Sequence, residues 1–419
     1  MDVLVICPDA HDAEAFAALR GHRVHLLSAE VKHWCPSPAF DVLAYLETGR
    51  EFLRRRRVDA VVSTHDLGDL VAAVLADEFG LPGPSPEAVF LCLHKLYGRR
   101  RESRPIRTEP VDLHDPEPRS PIGYPCFLKP PWLKLGLLSR RVDGPADLAR
   151  ALEAVSTEYA AWARQYQPLF GAAIDVERYP LAMRDVMLVE ELVEAPQVTV
   201  EGWMEGDRFH LWAITDTNTF PGGLVIESFT LPSRHPAEAQ SRMAARAGEA
   251  ARAVGFRDGF FNAEMWWRDG RPVLTEINGR AAVCFGGLYE ACLGRPILES
   301  VVALAGGSRR GPSPVHCGVV GGQYNLVTFA EGRVADLIDV EAALATPNLW
   351  LLRDPPEHVR PCSAFGVVLA QVELYGERFE DLETEADLLR HRLLKRPEAS
   401  PWPVRAGRPS PLKDAKPRW

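Results

Sequence analysis

The chain has 419 residues, of which 46% are hydrophobic and 25% charged, values typical of a globular protein rather than a disordered or fibrous one. The 48 basic and 57 acidic residues give a formal net charge of -9, which disfavours a general nucleic-acid-binding role. No apolar run approaches the roughly 18 residues of a membrane span, and no charged segment precedes the first short apolar stretch. We therefore expect a cytoplasmic protein without membrane contact.

Cysteine, histidine and arginine occur without a motif of known chemistry. The eight cysteines include no CxxC pair, which is typical of buried thiols in a reducing compartment. The twelve histidines include no HExxH or HxH pair, so a zinc hydrolase has no support. Short arginine runs at 54–57 and 99–101 are typical of solvated helix faces.

The first part of the chain alternates between strand and helix patterns. Strands are predicted at 2–7, 24–27 and 58–63, and helices up to about residue 19 and at 67–79. This order predicts an open parallel α/β sheet that ends at the proline-rich segment 81–86. The residues after the first strand, Pro8-Asp9-Ala10-His11-Asp12, lack the glycine-rich fingerprint of a dinucleotide fold, so NAD binding is disfavoured.

The middle of the chain is dominated by strands, and a smaller module follows it. Strands are predicted at 124–130, 137–142, 186–191, 197–204, 209–216, 260–267 and 273–277, with helices at 145–155 and 237–254. After a linker at 306–314, strands at 318–329, 333–338 and 363–373 and a helix at 379–393 predict a small α+β module. The final segment, 396–419, is rich in Pro, Arg and Lys and is predicted to be a flexible tail.

The most informative feature is a predicted β-hairpin over 260–277 with a tight turn at 269–270, where the sequence is Asp-Gly. Such a turn could place Glu264 opposite Glu276, where two carboxylates destabilise each other unless a cation lies between them. Asn278 has the same strand parity as Glu276, so its amide oxygen lies on the same side. Two carboxylates and an amide oxygen are suitable ligands for Mg²⁺, and phosphate oxygens would complete its coordination shell.

Arg280 continues this alternation two residues after Asn278. Its guanidinium would lie beside the metal site, where it could bind a carboxylate or an acyl phosphate. In the alternative interpretation, the two glutamates are solvent-facing ends of an amphipathic hairpin and Arg280 is their ordinary salt-bridge partner. Four such side chains at matched parity in apolar strands favour the metal and phosphate interpretation.

This pattern resembles the ATP-grasp signature, in which a carboxylate strand precedes a Glu-x-Asn-x-Arg strand. The resemblance covers roughly residues 1–300. It implies that Lys95 and Lys129 bind phosphates and that the segment 189–193 is an interlobe hinge whose backbone and first glutamate hold the adenine edge. The nucleotide-binding residues implied in this way are Lys95, Lys129, Lys134, Glu190, Glu191, Leu192, Val193 and Gln197, and the implied metal ligands are Glu264, Glu276 and Asn278.

The sequence departs from the family pattern at three places. His94 precedes Lys95 where the family usually has Asp, and Gln197 stands where a Glu usually contacts the ribose hydroxyls. The loop at 131–139 is normally rich in Gly and Ser, because backbone N–H groups must approach the triphosphate. Here it keeps only one of each, so either Lys134 supplies charge in place of those amides or the lid closes differently. A degenerate ATP site is the alternative.

The resemblance implies an ATP-grasp fold of mixed α/β and α+β class. Its expected parts are an N-terminal parallel α/β domain (1–94), a small lobe (95–190), a central lobe (191–308), a C-terminal α+β module (309–395) and the tail (396–419). It also implies an ATP-dependent carboxylate–amine ligase that acts through an acyl phosphate, with Arg280 and Lys129 as catalytic residues. The cofactors would be ATP and Mg²⁺, with Mn²⁺ as a substitute.

The expected substrates are a small carboxylic acid and an amine, and the C-terminal module resembles that of the amino-acid ligase branch. The alternatives are a carboxylase or purine-pathway member of the same superfamily, and a nucleotide-binding protein without catalytic activity. A homodimer formed through the helices of the first domain is a further expectation.

Overall fold

The computed structural model describes residues 1–8, 10–29, 31–32, 35–36, 40–66, 68–134, 136–220, 225–308, 314, 317–361 and 366–396. Most of the predicted tail, the centre of the predicted linker at 306–314 and the start of the predicted strand at 363–373 lie outside these residues. Within the described ranges, no helix combines the length and the apolar character needed to cross a membrane.

The N-terminal unit contains a parallel sheet with strand order β2-β1-β5. Its elements are β1 (Asp2–Ile6), α1 (Ala10–Ala17), β2 (Arg23–Leu27), β3 (Val31–Lys32), β4 (Cys35–Pro36), α2 (Val42–Arg55), β5 (Ala60–Val62), α3 (Asp69–Glu78), α4 (Pro86–Leu93) and α5 (Lys95–Arg101). The parallel sheet predicted from the sequence is confirmed. Ser85 caps α4, and Pro86 occupies its first turn, where a missing N–H costs nothing.

A four-stranded antiparallel sheet of order β6-β9-β7-β8 follows. Its elements are β6 (Thr108–Asp112), β7 (Cys126–Lys129), β8 (Arg140–Val142), α6 (Pro145–Ala173) and β9 (Val186–Glu191), with a short 3-10 helix at Pro180–Met183. The helix α6 is much longer than predicted because buried aromatic residues such as Tyr159 and Tyr166 continue its apolar face. The strand β8 begins later than predicted, after Leu138 adopts a left-handed conformation with φ 58°.

The largest sheet has eight strands in the order β14-β13-β10-β11-β12-β15-β19-β17. Its chain segment contains β10 (Gln197–Glu205), β11 (Arg208–Thr219), β12 (Ile226–Leu231), α7 (Ala237–Ala253), β13 (Gly259–Arg268), β14 (Arg271–Asn278), α8 (Gly286–Leu293), α9 (Ile297–Ala305) and β15 (Val320–Thr328). It ends with β16 (Gly332–Arg333), α10 (Val334–Leu337), α11 (Val340–Leu344), β17 (Leu349–Leu351), β18 (His358–Val359), β19 (Val367–Gly376) and α12 (Phe379–Leu393).

Two features of this sheet differ from the sequence-based expectations. In the predicted C-terminal module, β15, β17 and β19 belong to the same sheet as the central strands, because β15 pairs with β12, whereas β16 and β18 form a separate two-stranded sheet. The strand predicted at 333–338 is wrong. Most of that segment is the short helix α10, in which Val334 and Leu337 are spaced to bury one helical face.

Candidate active site at the β13–β14 hairpin

The hairpin predicted from the sequence is present, and its register sets the site. Asp269 and Gly270 form the turn with φ 51° and 72°, the left-handed conformation that a two-residue hairpin turn requires. Glu264 lies directly opposite Glu276 in the strand ladder, and Asn262 lies opposite Asn278.

Strand alternation decides which hairpin side chains reach the site. Phe261, Ala263 and Met265 are buried in the hydrophobic core that includes residues of α7. The residues between them, Asn262 and Glu264, therefore face the opposite side of the sheet.

Each candidate metal ligand contacts a hydrogen-bond donor from another part of the chain. The Lys95 ammonium lies 3.3 Å from the Glu276 carboxylate, and the Lys134 ammonium donates to Oδ1 of Asn278. Gln197 Nε2 donates to Glu264 Oε2 at 2.8 Å. The Glu276 side chain is only 14% exposed, so the alternative of solvent-facing hairpin ends does not describe this structure.

The two opposed carboxylates differ in their ease of ionisation. Burial, followed by the negative charge of Glu276, raises the pKa of Glu264. Burial also disfavours ionisation of Glu276, but Lys95 and Lys134 outweigh it and lower the pKa of that carboxyl group. One carboxylate is thus held ionised by lysines, whereas the other would gain from a further cation.

The donor set fits a nucleotide-bound Mg²⁺ or Mn²⁺. Across the described segments, no group of three or more His, Cys, Asp and Glu side chains could hold a metal ion by itself. The hairpin instead offers two carboxylates and an amide oxygen, hard ligands that leave room for phosphate oxygens. Both Glu276 and Asn278 already face ammonium groups, as expected for oxygens arranged around positive charge.

Lys129 at the end of β7 is held by a buried carboxylate. Its ammonium lies 2.6 Å from Glu190, which Arg99 also contacts at 2.7 and 3.3 Å. Burial opposes ionisation of Glu190, but the charges of Arg99 and Lys129 lower its pKa. Glu190 is only 1% exposed, and its carboxylate contacts Lys129 and Arg99. The contact with an adenine edge that the resemblance implied stays a prediction.

The predicted hinge after β9 has backbone groups that are available for hydrogen bonding. Leu192 and Val193 are half-buried, and among the described residues no backbone hydrogen bond engages either of them. The neighbouring Glu191 is bound by Arg268 at 2.7 Å. The free N–H and C=O groups of this hinge could therefore pair with the edge of a base.

Arg280 forms a contact that the sequence did not reveal. Its guanidinium binds the carboxylate of Asp66 in a two-pronged contact of 2.7 and 2.8 Å. Burial works against both charges, but their mutual attraction lowers the pKa of Asp66 and raises that of Arg280. Asp66 follows β5, and ligands commonly bind at the carboxyl ends of parallel strands, which is the one signal that could have identified it.

Arg99 is a second residue near the candidate site that was not predicted from the sequence. The prediction that it lies on a solvated helix face is wrong. It is buried, whereas Arg100 and Arg101 in the same run are exposed. Lys95 and Arg99 are four residues apart on α5, so both side chains lie on one helical face toward the site. That spacing was readable in the sequence.

Part of the chain that contains these residues matches a known protein family. Residues 122–288, which include Lys129, the hinge, the hairpin and Arg280, match the model of the ATP-grasp domain family. This chain contains an ATP-grasp domain. The predicted ATP-grasp fold is therefore confirmed, with Lys95 lying before the matched segment.

Proteins similar to this chain include a synthase, a ligase and a synthetase. Carnosine synthase 1 of Gallus gallus is 27% identical over 309 residues, covering 68% of this chain and 32% of that protein, so the chain spans about a third of its length. The L-amino acid ligase from Bacillus licheniformis has a similar structure, with a TM-score of 0.74, 15% identity and coverage of 94% and 97% of the two chains. N5-carboxyaminoimidazole ribonucleotide synthetase from Thermotoga maritima is also similar in structure. Its TM-score is 0.60 and its sequence identity 16%, and the match covers 94% of this chain and 98% of that chain.

Proposed function

We propose that this ATP-grasp protein is an ATP-dependent carboxylate–amine ligase that forms an amide bond through an acyl phosphate. The observation that carries the proposal is the opposed pair Glu264 and Glu276, flanked by Asn278 and by buried lysines from two other elements. Such a cluster suits a metal-bound triphosphate, and no side-chain nucleophile is required for this chemistry.

The reaction begins with activation of the acid. An oxygen of the substrate carboxylate attacks the γ-phosphorus of ATP, the bond to the β-bridging oxygen breaks, and ADP leaves. The carbonyl carbon then carries phosphate as its leaving group. The amine attacks this carbon, phosphate departs and the nitrogen loses a proton, which leaves an amide, ADP and phosphate.

The residues of this chain position and neutralise the phosphates. A bound Mg²⁺ would supply positive charge between the phosphates and the ligands Glu264, Glu276 and Asn278. Lys95 and Lys129 would bind phosphate oxygens, and Glu190 orients the Lys129 ammonium. Burial lowers the pKa of Lys95 to about 8, with Glu276 opposing the shift, so Lys95 is mostly an ammonium at neutral pH.

Arg280 is proposed to act at the reacting carbonyl group. In this structure Asp66 occupies its guanidinium with the geometry that a substrate carboxylate or acyl phosphate would adopt. Exchange of Asp66 for the substrate would place a fixed positive charge beside the oxyanion that forms when the amine attacks.

Amino acids or similar molecules are the proposed substrates. Two relatives support this class by their names, L-amino acid ligase and carnosine synthase 1. The structure of the L-amino acid ligase is also more similar to this chain than that of N5-carboxyaminoimidazole ribonucleotide synthetase, with TM-scores of 0.74 against 0.60. A carboxylase-type reaction is therefore the second candidate.

Isotope transfer tests the proposal. Carboxylic acids labelled with ¹⁸O are incubated with ATP, Mg²⁺ and mixed amines, and the released phosphate is analysed by mass spectrometry. We expect one ¹⁸O atom in phosphate per amide formed, for the correct acid only. Glu276→Gln should abolish the transfer, whereas Glu238→Gln, at an exposed carboxylate on α7, should retain it. ADP release that depends on bicarbonate rather than on an added carboxylic acid would instead identify a carboxylase.

A further inference from the structure

A line of three buried polar side chains crosses the large sheet beside the candidate metal ligands. Glu201 on β10 is the cross-strand neighbour of Asn262 on β13, and Asn262 is the neighbour of Asn278 on β14. Their exposed fractions are 0%, 3% and 3%. Only Asn278 belongs to the candidate metal site, so the proposed reaction does not explain why polar side chains are buried at Glu201 and Asn262.

Glu201 is surrounded by hydrogen-bond donors. The backbone N–H of Ala282 donates to both of its carboxyl oxygens at 3.2 Å, and the Tyr289 hydroxyl lies 3.5 Å from Oε2. Asn262 Nδ2 donates to Oε2 at 3.1 Å. Burial raises the pKa of Glu201 to about 8, so above that pH, where Mn²⁺ binding is to be compared, its carboxylate only accepts hydrogen bonds.

The hydrogen bonds continue in one direction from Asn262 to the site. Asn278 Nδ2 donates to Asn262 Oδ1 at 3.0 Å, and Oδ1 of Asn278 accepts from the Lys134 ammonium. The series therefore ends in an ammonium, which only donates, and begins at a carboxyl group that its neighbours use as an acceptor. With both ends fixed, each amide has one satisfied orientation.

We propose that Glu201 is a positioning residue that acts through Asn262 to direct the oxygen, rather than the nitrogen, of the Asn278 amide toward the cation. The two ends of an amide are nearly equal in size, so packing alone does not distinguish them. The reversed orientation would present N–H groups to a positive charge. This inference rests on the proposed function, because it assigns Glu201 to the same metal site.

Three variants separate this role from a merely structural one. Glu201→Gln keeps the shape but offers Asn262 either a donor or an acceptor, so only the contacts of Asn278 itself then hold the orientation of its amide. Adding Asn262→Asp gives the double variant E201Q/N262D, which restores the net charge of the wild type. The new carboxylate at position 262 accepts from Asn278 Nδ2, so the amide oxygen again faces the cation. Tyr289→Phe removes the 3.5 Å contact with Glu201 but leaves the contact between Glu201 and Asn262, so it serves as the control.

The measurement is Mn²⁺ binding in the presence of ADP, followed by the electron paramagnetic resonance signal of free Mn²⁺. ADP affinity and the melting temperature, both measured in EDTA, show whether each variant is folded with an intact nucleotide site. We expect E201Q to weaken Mn²⁺ binding about tenfold, as substitutions behind metal ligands typically do. E201Q/N262D and Y289F should bind Mn²⁺ as the wild type does, and metal-free ADP affinity should not change.

The outcomes distinguish this inference from the proposed function. Equal Mn²⁺ affinity of E201Q and wild type, or no recovery in the double variant, would overturn the role of Glu201. A parallel loss of metal-free ADP affinity in E201Q would also overturn it, because the effect would then be structural. Failure of the wild type to bind Mn²⁺ with ADP would overturn both proposals. The predicted series of affinities without amide formation would support Glu201 and contradict the ligase.

Discussion

Glu264 and Glu276 are the same residue type at directly opposed positions, yet their surroundings treat their charges differently. Glu276 faces Lys95, whereas the main polar partner of Glu264 is the neutral amide of Gln197. The pKa of Glu276 is accordingly lowered and that of Glu264 raised. The stability of the metal-free protein should therefore respond differently to loss of each charge.

Glu276→Gln should destabilise the metal-free protein by about 3–5 kcal/mol, because it leaves the buried Lys95 ammonium without its ionised partner. Glu264→Gln should leave the free energy of unfolding unchanged or increase it, because it removes a repelling charge and keeps an acceptor for Gln197. Urea unfolding in EDTA measures both. Equal destabilisation by the two variants would contradict the charge assignment.

Residue types and spacing predicted the two glutamates, Asn278 and Arg280 as site residues, and the resemblance to the ATP-grasp signature added Lys95 and Lys129. The structure brings these residues together. The partner of Arg280 could not be predicted in the same way. Asp66 and Arg280 are 214 residues apart in sequence, and such a contact leaves no local pattern. Glu201 was likewise passed over, because an acidic residue inside an apolar strand shows its role only when its cross-strand neighbours are known.

At the scale of elements, the short helix α5 contacts both β14 and β9. Lys95 at its start contacts Glu276 on β14, and Arg99 one turn later contacts Glu190 on β9. Arg99 also donates to the backbone carbonyls of Leu274 and Thr275 at 2.8 and 2.6 Å. This helix therefore fixes the distance between Glu190, the partner of Lys129, and the candidate metal ligand Glu276.

Arg99→Met should destabilise the protein by about 3–5 kcal/mol, because Glu190 loses a buried charge partner and two buried carbonyl groups lose their donor. It should also raise KM for ATP, since Lys129 is oriented by Glu190. Arg100→Met is the matched control: Arg100 is exposed and lies 5.8 Å from the Tyr97 ring, a contact worth about 0.5–1 kcal/mol. Similar losses in the two variants would argue against the role of α5.

Elements with strong local signals were predicted well, and those shaped by distant packing were not. The Asp-Gly turn and flanking apolar strands located the hairpin, and the alternating pattern located the N-terminal parallel sheet. Helices α8 and α9 were not predicted at all. The segment at 333–338 has the composition of a strand, but burial of Val334 and Leu337 against the core of the C-terminal strands favours a helical turn.

At the scale of the whole molecule, the candidate site is assembled from four separate parts of the fold. The N-terminal unit supplies Asp66, α5 supplies Lys95, the small sheet supplies Lys129, and the large sheet supplies the hairpin. The predicted boundaries at 94, 190 and 308 stay predictions. So do the homodimer and the cytoplasmic location.

We propose that one divalent cation binds between β13 and β14 and also contacts the phosphates of the nucleotide. The most direct test is anomalous X-ray scattering from crystals of the protein grown with ADP and Mn²⁺. We expect a manganese peak within coordination distance of Glu264, Glu276 and Asn278 Oδ1, and in contact with ADP phosphate oxygens. Bound ADP with its manganese elsewhere, and these three side chains still engaged only with one another and the lysines, would contradict it.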